Sequence, residues 1–182
     1  MRLVLLDRDG VLNENRDDYI KHPDELILLP GTGKALARLN QAKIRVAVVT
    51  NQSVVGRGII AESMLCQIHD HLCHILEKEG AWLDAIFYCI DTPDVAGPRR
   101  KPNPGMLKEA LERFSASPAV TPIVGDALRD LEAGAALGCP RILVRTGNGA
   151  ATQAAGLPES VLPVAVYENL SEVVDFLIEE GE

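Results

Sequence analysis

Leu3-Val4-Leu5-Leu6, running directly into Asp7-Arg8-Asp9-Gly10-Val11, is the stretch on which the fold turns. Four apolar residues in succession, without polar alternation, describe a strand covered on both faces, and such strands belong to parallel sheets flanked by helices. The two aspartates that follow stand at the carboxyl end of that strand, where open α/β sheets hold their ligands. Alternation along an extended backbone sets Asp7 and Asp9 on one side, and Gly10 permits a sharp exit from the strand.

Similar apolar runs recur at 44–49, 85–90, 122–124 and 141–144. Helical spacing fills 32–41, 61–79, 104–114 and 127–137, with a last helix expected over 171–180. The alternation predicts an α/β fold: a doubly wound, mainly parallel sheet with helices on both faces, as one domain over 1–182. Gly138 is expected to stop the fourth helix and Ser171 to cap the last. Segments 91–100 and 147–163 read as longer loops.

Composition narrows the class. With 47% apolar and 24% charged residues over 182 positions, the chain is globular rather than disordered or fibrous. No apolar run approaches the roughly 20 residues of a membrane helix, and no basic segment followed by an apolar core opens the chain, so neither a membrane nor export is expected. Cys66, Cys73, Cys89 and Cys139 suit a reduced, cytoplasmic setting without disulfides. A net charge of −8 argues against a nucleic-acid partner, although a local basic pocket still suits a small anion. A small phosphorylated substrate and a monomer are expected.

An aspartate pair two residues apart suits phosphate-ester cleavage. Asp7 would attack phosphorus, and Asp9 would protonate the leaving oxygen and later activate water. Taken alone, the pair reads more readily as a turn former. Thr50, Asn51, Gln52 and Ser53 follow the second strand and offer hydroxyl and amide donors for phosphate oxygens. Lys101, between Arg100 and Pro102, brings an ammonium before a helix; read plainly, it belongs to a solvated basic loop. Asp126, after Gly125, would join Asp7 around a hard cation, with Asp130 one helical turn further on, and magnesium is the cation that binds phosphate through oxygen ligands.

In that order these features resemble the haloacid dehalogenase superfamily of phosphatases. With Asp18-Tyr19-Ile20-Lys21, Arg57-Gly58, 100–106, 124–131 and 146–149 added, nearly the whole chain resembles the D-glycero-D-manno-heptose-1,7-bisphosphate 7-phosphatases, relatives of the histidinol phosphatases. The resemblance implies that Asp7 takes the phosphoryl group while Thr50 and Lys101 stabilise it. It further implies that Asp7, the Asp9 carbonyl and Asp126 hold magnesium with Asp130 in support, and that Gln52, Ser53, Arg57 and Arg100 contact phosphate or sugar. The interval between Gly10 and Thr50 is too short for a cap domain, so specificity would rest on loops.

Many members of that family hold zinc through Cys-x-His and Cys-x-Cys before Arg-Lys-Pro. Here the four positions are Cys89, Asp91, Gly97 and Arg99, and structural zinc is therefore expected to be absent. Cys66, His69 and Cys73 lie beside an apolar stripe of Leu65, Ile68, Leu72, Ile75 and Leu76 and read as packing, not as ligands. His71 and His74 fall toward the polar face, His22 lies in a loop, and Trp82 and Tyr88 read as packing. Histidinol phosphate and a nucleic-acid 3′-phosphate stay open as substrates. A phosphoaspartate signalling module is the alternative of another class; its phosphoacceptor would follow the third strand, where this chain has Asp91 in a loop.

Overall fold

The structure, a computed structural model, describes residues 2–179. In chain order its first elements are β1 (Leu3–Leu6), α1 (Thr32–Gln41), β2 (Arg45–Asn51), the short α2 (Ser53–Gly56), α3 (Glu62–Glu77) and β3 (Ala85–Cys89). There follow α4 (Gly105–Phe114), β4 (Ile123–Gly125), α5 (Leu128–Ala135), β5 (Arg141–Val144), α6 (Gly149–Ala154), β6 (Val164–Tyr167) and α7 (Leu170–Glu179).

All six strands are parallel, in the order β3-β2-β1-β4-β5-β6. After β3 the chain returns past β1 to lay down β4 on its other side, so the strand order reverses between β1 and β4. That switch point opens a crevice at the carboxyl ends of the two strands. Asp7 and Asp126 stand on either side of it.

Strand periodicity divides the core between two faces. Val4, Leu6, Val46, Val48 and Val144 pack with Ile68 and Leu72 of α3 and Val173 and Leu177 of α7. Leu3, Leu5, Ala47 and Val49 pack on Met106, Leu107 and Ala110 of α4. Every residue of β1 is buried. Each fully buried leucine contributes about 1.5–3 kcal/mol, which commits β1 to the centre of the sheet.

Gly138 stops α5 as expected: at φ +75°, its N–H donates to Ala135 (3.1 Å) and the Cys139 N–H to Gly134 (2.9 Å). Ser171 is not the cap of α7. That helix begins at Leu170, and Asn169 Oδ1 accepts from the Glu172 N–H at 3.2 Å, which moves the cap two residues upstream. Glu180, the expected end of the helix, lies outside the described residues. Three elements escaped the periodicity: the short α2, α6 inside the expected loop 147–163, and β6, a half-buried strand paired with β5 alone. The two helices are too short to establish a period, and β6 falls inside the stretch that otherwise reads as loop. No helix of the described residues is long and apolar enough to cross a membrane.

Candidate active site

Asp7 is pinned from both directions. Its backbone N–H donates to the Val124 carbonyl of β4 (2.9 Å), and its Oδ1 accepts from the Arg8 N–H (2.7 Å). The buried Lys101 ammonium stands 3.2 Å from the same oxygen, 2.6 Å from Asp130 Oδ1 and 2.7 Å from the Val49 carbonyl. Burial pushes Asp7 up to about 7 against the pull of Lys101, and the charges of Asp130 and Asp126 add to the rise. Lys101 also lies above its ordinary value, because Asp130 and Asp7 outweigh the burial that would lower it.

Asp126 completes the acidic group. Carboxylate oxygens of Asp7, Asp126 and Asp130 lie within 4.8 Å of one another. Asp130 is already committed, through Oδ1 to Lys101 and through Oδ2 to the Ala127 N–H (3.1 Å). Asp126 Oδ2 accepts from Asn15 Nδ2 and from the Asn148 N–H, both at 2.8 Å, whereas its buried Oδ1 has no hydrogen-bond partner among the described residues. Burial raises Asp126 as well. An orphaned carboxylate oxygen beside a second buried carboxylate, with Lys101 the one ammonium among the described residues that is bonded to the cluster, fits a hard divalent cation with oxygen ligands.

The loop and helix after β5 buttress this arrangement. A Cβ on Gly10, at φ +80°, would meet Asp126 Oδ2 at 2.1 Å, and one on Gly147 would meet it at 2.4 Å. Thr146 Oγ1 donates to the Gly10 carbonyl (2.7 Å) and Thr152 Oγ1, on α6, to the Asp126 carbonyl (2.9 Å). Sequence reasoning left Asn15, Asn148 and Thr152 out of the site. The run Thr146-Gly147-Asn148-Gly149 was the signal for the second of them.

Asp9 sits in a separate network. Its carboxylate accepts from Arg8 Nε (3.1 Å) and Nη2 (2.9 and 3.1 Å), Asn13 Nδ2 (2.8 Å) and Gln52 Nε2 (2.9 Å). Burial would raise Asp9, but Arg8, Asn13 and Gln52 together hold it below its ordinary value. Gln52 Nε2 also donates to Thr50 Oγ1 (2.9 Å), which ties the ends of β1 and β2 together. Arg8, only 1% exposed, received no role from the sequence, and neither did its remaining partner, His69 Nε2 at 3.2 Å.

A cavity of about 200 Å³ opens beside these groups, lined by Asp9, Gln52 and Ser53 with the guanidinium-bearing Arg8, Arg16, Arg100 and Arg129. Arg129 Nε is buried with no hydrogen-bond partner among the described residues. Arg100 Nη1 donates to the Asp91 carbonyl (2.7 Å), and burial, then the charge of Arg129, lowers it. Arg57 is exposed and outside this lining, though its charge reaches Arg100. Asn51 borders the cavity but spends its amide on Lys101: Nδ2 donates to the Lys101 carbonyl (2.9 Å), and Oδ1 accepts from the Lys101 N–H (3.1 Å).

The loop after β3 is held by contacts within the chain. Asp91 Oδ2 accepts from the Gly97 N–H (2.9 Å), Asn103 Nδ2 donates to the Gly97 carbonyl (2.9 Å), and Arg99 pairs with Glu109 (2.8 Å). Cys66 is exposed while His69 faces inward to Arg8, so those two do not share a ligand site. Trp82, expected to pack, is 51% exposed; the Asn40 side chain binds its backbone instead. Tyr88 packs its ring 5.5 Å from His69 and donates to Glu62 (2.8 Å).

Comparison with known proteins places the same span in a phosphatase family. A HAD-hydrolase-like family model matches residues 98–173, and a polynucleotide kinase 3 phosphatase model matches residues 3–134. The D-glycero-beta-D-manno-heptose-1,7-bisphosphate 7-phosphatase of Bordetella bronchiseptica is 45% identical over 100% of both chains. That of Pseudomonas aeruginosa is 40% identical over 97% of this chain and 98% of its own. The crystal structure of D,D-heptose 1,7-bisphosphate phosphatase from B. bronchiseptica, complexed with magnesium and phosphate, superimposes with a TM-score of 0.93 at 45% identity, covering 99% of each chain.

Proposed function

The chain belongs to the D-glycero-D-manno-heptose-1,7-bisphosphate 7-phosphatase family of the haloacid dehalogenase superfamily, and from that membership we propose that it converts the heptose bisphosphate to heptose 1-phosphate and inorganic phosphate. The observation that carries the chemistry is the pairing of Asp7 with Lys101 at 3.2 Å beside the orphaned Asp126 oxygen.

In this reading an Asp7 oxygen attacks phosphorus as the bond to the sugar oxygen breaks, and Asp9 gives that oxygen its proton. Water then attacks the aspartyl phosphate, Asp9 takes the water's proton, and phosphate leaves Asp7 regenerated. Lys101 and Thr50 offset charge on the phosphoryl oxygens. Magnesium, held by Asp7, the Asp9 carbonyl and Asp126, supplies Lewis-acid neutralisation of that charge. Asp130 anchors Lys101 and stays out of the reaction. The low-lying Asp9 favours the base form needed for the second step; in the first, one Asp9 oxygen carries the proton while Arg8 keeps its hold on the other.

The arginines around the cavity suit a substrate with a second phosphate. Arg100 and Arg129 share one lining, with no carboxylate among the described residues bonded to either guanidinium, and Arg57 stands beyond them. Ser53 and Gln52 add polar groups to that lining. Four unpaired cysteines accord with a cytoplasmic enzyme acting on a soluble sugar phosphate.

The polynucleotide phosphatase match supports a second reading, a 3′-phosphorylated nucleic acid as substrate, which the net charge of −8 disfavours. Magnesium-dependent phosphate release from heptose 1,7-bisphosphate, histidinol phosphate and a 3′-phosphorylated oligonucleotide separates the readings, with Asp7→Asn as the blank. A heptose preference is expected; preferential release from either of the others overturns the substrate assignment.

A further inference from the structure

We propose that His69, from the middle of α3, is a positioning residue for the acid/base step: its ring nitrogen holds the Arg8 guanidinium in the orientation in which Arg8 grips both oxygens of Asp9. The inference rests on Asp9 being the acid/base and adds a residue 61 positions from Arg8 in sequence to the machinery.

The geometry assigns the hydrogen-bond roles. Arginine has donors only, so in the 3.2 Å contact His69 Nε2 accepts and the ring proton resides on Nδ1. The imidazole is 6% exposed, and burial followed by the Arg8 charge pushes it down to about 3 despite Asp9, so the accepting form persists at neutral pH. Arg8 Nε and Nη2 are engaged with Asp9, and Nη2 also donates to Gln52 Oε1 (3.1 Å). Nη1 is the nitrogen that neither serves, and His69 is its partner. Without it a buried donor stands unpaired, and the guanidinium is held only along its Nε–Nη2 edge.

Packing alone does not account for a histidine here. Leu65, Ile68, Leu72 and Leu76 already bury the inner face of α3. The ring is fixed in turn: Tyr88 of β3 packs against it, and the Tyr88 hydroxyl is tied to Glu62 at the start of the same helix. A rigid chain of contacts thus runs from α3 through His69 and Arg8 to Asp9. Asp9 must exchange its proton with a leaving oxygen and then with water, and general acid catalysis requires hydrogen-bond reach in both steps.

The test uses leaving-group dependence. Nitrophenolate leaves without a proton, whereas a sugar alkoxide needs one. Since kcat/KM reports events only up to the first irreversible step, it isolates the acid role. The ratio of kcat/KM for the sugar phosphate that the wild type cleaves best to that for nitrophenyl phosphate is measured in one preparation, so the folded fraction cancels. His69→Leu is expected to lower this ratio about tenfold, part of the 10²–10⁴-fold typical of general acid catalysis. His69→Gln, which supplies a neutral acceptor, should recover most of it. An unchanged ratio in His69→Leu, or a ratio no better in His69→Gln, overturns the proposal. Asp9→Asn run alongside separates the two assignments. If it lowers the ratio and His69→Leu does not, His69 alone is misassigned; if it leaves the ratio unchanged, the acid role of Asp9 falls first and the role of His69 with it.

Discussion

Asn51 clasps the backbone of Lys101 at both polar groups, donating to its carbonyl and accepting from its N–H. The last residue of β2 thereby fixes the loop that carries the ammonium, and the Lys101 side chain returns to the Val49 carbonyl two residues earlier in the same strand. Removing the clasp should misplace the ammonium without touching its charge. Asn51→Ala is expected to lower kcat about 10- to 100-fold and stability by about 1–3 kcal/mol, the range for leaving buried polar groups unpaired. Steady-state kinetics and urea unfolding check the pair; an unchanged kcat would mean that Lys101 needs no such support.

Asp7→Asn should fold and lose turnover entirely, since an amide cannot take the phosphoryl group. It also removes one carboxylate from a crowded acidic cluster. In magnesium-free buffer at pH 8 the variant should therefore melt at or above the wild-type temperature. Magnesium should raise the melting temperature of the wild type far more than that of the variant. A variant that melts well below metal-free wild type would contradict the crowding.

Gly10→Ala places a methyl 2.1 Å from Asp126 Oδ2 at φ +80°. Left-handed backbone costs a residue with a Cβ about 1–2 kcal/mol, and the collision must also displace the carboxylate. Gly58→Ala is the control: φ is +69°, but nothing lies within 4 Å. Both variants should lose similar backbone stability, while magnesium affinity by calorimetry should fall only in Gly10→Ala.

Arg129→Gln should weaken substrates that carry a second phosphate about 10- to 100-fold in kcat/KM, mainly through KM, because charge-assisted hydrogen bonds contribute about 1.5–3 kcal/mol. Nitrophenyl phosphate, which has no such group, should be cleaved almost as before. Equal losses on both would move Arg129 to the transferred phosphoryl group.

The pH dependence of stability should carry the signature of His69. Its folded value, about 3, lies below its ordinary 6.5, so between those limits the unfolded chain binds a proton that the folded chain refuses. Stability therefore falls as pH drops through that window, by up to about 1.4 kcal/mol per pH unit. His69→Gln should flatten the change in urea midpoint between pH 6 and pH 4, and a slope identical to wild type would place the ring in contact with solvent.

Much of this site was legible in the chain because its elements are long or its motifs dense. Five strands and the five longer helices follow from periodicity, and the convergence of Asp7, Lys101, Asp126 and Asp130 follows from their places after strands or before a helix. What escaped was set by distant contacts. Nothing local distinguishes the inward-facing His69 from a packed core histidine, nor marks Asn15 as a partner of Asp126. The short α2 and α6 lack the length to show a period, β6 falls inside a stretch that otherwise reads as loop, and Asn51 read as a ligand group because its neighbours did, although its amide bonds the backbone of Lys101.

The Asp91–Gly97 clasp has a consequence for how the enzyme is made. A loop drawn together by zinc is finished only when an ion has been captured, and it opens again when thiols are oxidised or the ion is withdrawn. Here the closure is written into the polypeptide: a carboxylate meets a backbone N–H as the chain folds, and Gly97, without a Cβ, leaves room for that oxygen. That hydrogen bond forms with the fold itself, so the shape of the loop is inherited from the backbone.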